Sequence, residues 1–111
     1  MQRHRLLTLL VAAALLAPAA LGHASGGAVS GDCTFNGTPL HGRVQIVEHF
    51  PDFKIKVVEH FPDLNVKLVE HFPDSCGRWE IVEHFPDFKV QIVEHFPDVK
   101  VKYVEHFPGL P

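Results

Sequence analysis

Catalytic vocabulary is what this 111-residue sequence most conspicuously lacks. It contains no Gly-x-Ser-x-Gly elbow, no HExxH and no CxxC pair. Its few Ser and Thr residues after residue 24 lie in the leader, the opening hairpin or the seam, outside the repeated strands. An enzyme is therefore not expected: a general acid needs an environment that shifts its pKa, and nothing here singles out one carboxylate among many. Long helices are not expected either, because from Pro51 to Pro108 a proline recurs every eleven to thirteen residues. An excess of positive charge is also missing. The net charge is −3, which argues against nucleic acid as a partner.

The longest apolar run, LLTLLVAAALLA at residues 6–17, is shorter than the ~20 residues a membrane span needs. Behind a basic start with Arg3 and Arg5, and ahead of Pro18 and the small residues of GHA, it has the plan of a secretory signal peptide over residues 1–24. There is no Arg-Arg pair, and no cysteine where a lipid anchor would sit, so a soluble product is expected, secreted or periplasmic, with no membrane span in the mature form. Residues 25–111 then carry 8 basic and 13 acidic side chains, a net charge of −5. Residues 25–32 read as a flexible leader and 33–41 as an opening hairpin around Asn36-Gly37. A domain this short needs a staple. Cys33 and Cys76 are the two cysteines, and in an oxidising compartment they are expected to form a disulfide worth roughly 3–4 kcal/mol. Free thiols or a metal pair are the alternatives.

Residues 42–111 are a repeat domain. VEHFPD occurs five times between Val47 and Asp98, and VEHFPG closes the series at 104–109. In register, three eleven-residue units run from 42 to 74, Ser75 and Cys76 interrupt, and three more run from 77 to 109. Both halves open with Gly-Arg. Within a unit, Phe53, Ile55 and Val57 alternate with Lys54 and Lys56, the period of a strand with one buried face. The adjacent Val57 and Val58 imply a bulge or a segment covered on both faces. Pro62-Asp63 fits the central positions of a type I turn. The fold class is all-β: six strand–turn units. Bottom-up alternatives are a simple β-solenoid or a small meander barrel, while the Ser75-Cys76 break and the twin Gly-Arg starts favour two related three-unit halves.

The x-K-V-x-V-x-x-F-P-D units, the CTFNGTPLHGRVQIV opening and the Cys-Gly-Arg-Trp seam resemble the 7(1) septoil knot domain family over roughly residues 31–111. The resemblance implies a small β domain in which two intertwined halves form a deep 7(1) torus knot, against the general rarity of knots. It implies no activity and carries no catalytic residue, cofactor or partner.

Charge is sorted within each unit. The basic residues from Arg43 to Lys102 all lie in the strand part, whereas eleven of the thirteen acids lie in the phrase. Ion pairing between windings is the expectation, with each exposed pair adding ~0–1 kcal/mol. His49, His60, His71, His84, His95 and His106 are expected to pack on Phe and Pro and to bond turn backbone or the nearby Asp. The alternative function is a metal binder using stacked His and Glu rows. Phe50, Phe61, Phe72, Phe85, Phe96 and Phe107 are expected in the core. With them are placed Val44, Ile46, Ile55, Val57, Val66, Leu68, Trp79, Ile81, Val90, Ile92, Val101 and Tyr103, and Phe→Ala in a middle unit should cost more than ~3 kcal/mol. The functional expectation is an exported, non-catalytic structural or binding module, with a homo-oligomer as one form of partner.

Overall fold

The structure, a computed structural model, describes residues 28–111, so the expected signal peptide lies outside the described residues. The described residues are all-β, without a helix. Strands β1 (Thr34–Phe35) and β2 (Thr38–Pro39) form the expected hairpin. Asn36 and Gly37 both take positive φ, 52° and 83°, as a two-residue hairpin turn requires. Just upstream, Cys33 N donates to Ser30 O at 2.9 Å and Val29 packs against the core, so folded structure begins inside the stretch expected to be a leader.

The remaining strands are β3 (Gly42–Ile46), β4 (Phe53–Val57), β5 (Leu64–Leu68), β6 (Arg78–Ile81), β7 (Phe88–Ile92) and β8 (Val99–Tyr103). They close a barrel in the order β3-β6-β5-β8-β4-β7. Every pairing is parallel, and every neighbour comes from the other half of the chain. This corrects both simpler architectures: a meander would be antiparallel, and a simple solenoid would stack consecutive units. The hydrogen bonds of the connections give the reason. Val47 N donates to Val90 O at one edge of β7, and Asp52 N donates to Lys89 O at its other edge. The chain between β3 and β4 therefore steps across the outside of β7, which stays between them. Val58 and Asp63 straddle β8 in the same way, Val82 and Asp87 straddle β3, Val93 and Asp98 straddle β4, and Val104 and Gly109 straddle β5.

Register decides what is buried. Gly42 pairs with Trp79, two residues beyond its counterpart Gly77, and Phe53 and Leu64 are offset by the same two residues onto Val90 and Val101. An even offset keeps inward side chains facing inward. Repeated around a closed barrel, it also brings equivalent positions to one level. The first level holds Phe53, Leu64, Phe88 and Val99, with Gly42 and Gly77 as gaps. The second holds Val44, Ile55, Val66, Trp79, Val90 and Val101. All ten side chains are buried. The third level (Ile46, Val57, Leu68, Ile81, Ile92, Tyr103), expected in the core, is 38–50% exposed. Its side chains face inward but form the barrel's open mouth, with no further level above them.

The opposite end is closed by the hairpin. Leu40 is fully buried, and its carbonyl accepts from Gly77 N at 3.0 Å and from Trp79 Nε1 at 3.1 Å. Phe35 packs against Phe53, with ring centroids 5.2 Å apart. Trp79 plugs the barrel centre, edge-on to Phe88 at 5.6 Å. The Cys33–Cys76 disulfide forms, with Cα atoms 6.0 Å apart, and ties this plug to the seam. Gly77 must be glycine: its φ is +84°, and a Cβ would collide with Asn65 O and Gly109 N.

Candidate functional site

Each connection carries a rib, and four of the six pair it with a clamp. The clamp is the aspartate. Asp63 N donates to Lys100 O at 2.8 Å, and its Oδ2 accepts from Lys100 N at 2.8 Å, so one residue closes a two-point bridge to the strand beneath it. Asp52 does the same at Lys89, Asp87 at Arg43 and Asp98 at Lys54. The Asp87 carboxylate occupies the space where a Cβ of Gly42 would project, which accounts for the glycine opening the first half. Gly109 keeps only the backbone part of the bridge, exchanging both bonds with Asn65. These carboxylates bond backbone amides across the two halves, where ion pairs to lysine were expected. The type I turn expected at Pro-Asp is replaced by a bend at Glu-His-Phe, followed directly by the clamp.

The rib is Glu-His-Phe, and here the core expectation is overturned. Phe50, Phe61, Phe72, Phe85, Phe96 and Phe107 are 78–90% exposed. Their φ values are all positive, from 55° to 60°. The connection has to clear a strand of the other half, which puts its apex outside the barrel, and turning back within six residues forces a left-handed residue there. Glycine or asparagine is the ordinary occupant of such a position, and for a bulky side chain it is strained. The sequence did carry a signal. Alternation from Phe53 reaches Phe61 only by burying Glu59, so the strand had to end earlier. It ends at Val57; Val58 N, the next residue, donates to Val101 O, and there both faces are partly covered and no bulge forms.

All six rib histidines are exposed. Each imidazole lies 6.2–6.4 Å from its neighbouring Phe ring at an interplanar angle of 53–59°. They neighbour Phe as expected, but out in solvent, away from any buried packing. The metal rows do not assemble: among the described residues no three His, Cys, Asp or Glu side chains gather closely enough to hold one ion. His41 and Asp87 share a depression beside the hairpin with Thr38, Pro39 and Phe88. Both are already engaged, His41 Nδ1 lying 3.3 Å from Pro73 O and Asp87 accepting from Arg43 N. Among the described residues no helix is long and apolar enough to cross a membrane.

Among the described residues, the six equivalent ribs form an array on a closed parallel barrel to which neither the clamps nor the core assigns a structural role. An uncharacterized protein of Synechocystis, slr1025, is 71% identical over 49 residues, and the match covers 44% of each chain. The chain therefore spans less than half the length of that relative. Residues 37–111, two thirds of the chain and the whole barrel, match the 7(1) septoil knot domain, and the chain belongs to that family.

Proposed function

We propose that the protein is an exported, non-catalytic structural or binding module, a knotted barrel that acts through its six outward Glu-His-Phe ribs. One observation carries the reading: six phenylalanines sit exposed in left-handed backbone where they serve no core. Strain retained at a solvent-facing position points to use of the side chain. Support for export comes from the N-terminal apolar segment and from a disulfide, which suits an oxidising compartment. Support for the knot comes from the way the connections step over strands of the other half, so that each half encloses the other. Such threading makes unfolding slow and protects the chain from proteases.

The test is a variant with all six rib phenylalanines changed to asparagine, which tolerates left-handed φ. It is expected to fold and to melt no lower than the parent, since each replacement removes strain of about 1 kcal/mol. A variant that fails to fold would show that these side chains serve the fold, and would end the reading.

A further inference from the structure

We propose that the ribs are contacts between copies of this chain, so that the protein associates side by side through paired ribs. The inference rests on the reading of the ribs as surface devices and names their partner. Val-Glu-His-Phe is self-complementary when run antiparallel to itself. About a twofold axis placed between Glu59 and His60, Val58 of one copy meets Phe61 of the other, and Glu59 meets His60. Apolar faces apolar and acid faces base at all four positions, which is the condition for an isologous contact.

The structure makes the contact available. Glu59, His60 and Phe61 are exposed, and Val58 at the foot of the rib is half-buried with surface to spare; the other five ribs repeat the pattern. Multiplicity selects the same partner. Equivalent connections lie at one level around the barrel, so the six ribs point outward on all sides, and a single flat partner surface can reach only some of them. Other copies, each carrying the same ribs, can reach them all. One rib pair is small, far below the area of a standard interface, and so is weak alone. Association grows because several ribs act on one molecule, each contact raising the effective concentration of the next. The pairing also gives the invariant Glu-His pair a role that neither clamp nor core supplies.

Sedimentation velocity on the oxidised protein at pH 6, from roughly 20 µM to roughly 1 mM, covers the range of weak contacts. The parent is expected to show a weight-average mass that rises with concentration by at least about twofold. Two further proteins test the pairing: one with all six rib glutamates changed to histidine, the other with all six rib histidines changed to glutamate. Each alone is expected to remain monomeric, because like now faces like, and an equimolar mixture is expected to regain association. A parent that stays monomeric throughout, whether or not it adsorbs to lipid vesicles, overturns the proposal. So does association that survives in either charge variant alone, or a mixture that stays monomeric. If the six-asparagine variant folds normally while the parent is monomeric, only this inference fails and the ribs remain surface devices of another kind.

Discussion

At the scale of single residues, the repeated phrase separates into parts with different physical duties. Proline and aspartate close the fold. Asp63 donates and accepts across to Lys100, and replacing it with alanine removes the acceptor while leaving the Lys100 amide in place. Because the amide stays accessible to water, the loss should be about 1–2 kcal/mol per clamp, readable as a lower urea midpoint for Asp63→Ala. An unchanged midpoint would make the clamp incidental. Tyr103 is the mouth residue with a perturbed proton: burial raises its phenol above the ordinary value of 10.0. The folded state thus holds this proton more tightly than the unfolded chain does. Its contribution is present below the unfolded pKa and is lost as pH rises from there through the folded value. Tyrosinate absorbance should therefore appear at higher pH in the folded protein than in urea, and Tyr103→Phe should soften the alkaline loss of stability.

At the scale of elements, strands are the most legible feature of the sequence and connections the least. Alternation of Phe53, Ile55 and Val57 against lysines locates the strands, and Asn36-Gly37 locates the hairpin, because both signals are local. Pairing partners are not local. Gly42 finds Trp79 and Val44 finds Phe88, and nothing within an eleven-residue unit specifies those distances. The same gap explains the misplaced phenylalanines: a connection that must step over a foreign strand exposes residues that a simple turn would bury. The hairpin shows how a small element controls a larger one. Its Leu40 carbonyl serves both Gly77 and Trp79, and the disulfide with a sequence separation of 43 holds it down. Reduction should lower stability by about 4 kcal/mol in the chain-entropy model. Hydrogen exchange should then speed first at Gly77, whose amide depends on the plug, ahead of the amides at the open mouth. Uniform loss of protection would assign the disulfide a global role only.

At the scale of the whole molecule, sequence-distant pairing sets the kinetics. Five of the six strand pairings join residues 37 or 44 positions apart, and all are parallel. Such contacts give little reward until long loops have closed, so folding belongs in the slow, millisecond-to-second range or beyond. Trp79, buried and alone of its type, reports directly on closure of the barrel. Its fluorescence should recover with a folding rate slower than about 10 per second even with the disulfide intact, and recovery within a millisecond would contradict the topology as a kinetic barrier.

The alternation of halves around the barrel has a consequence for ancestry. No strand of residues 42–74 bonds another strand of the same half. A chain of three units alone would have every sheet edge bare and could complete itself only on a second identical chain. An ancestor half this length would thus have been an obligate pair of entwined peptides. Fusion of two such peptides through a seam like Ser75-Cys76 would turn a bimolecular encounter into an intramolecular one, with the two Gly-Arg openings standing where each peptide would begin.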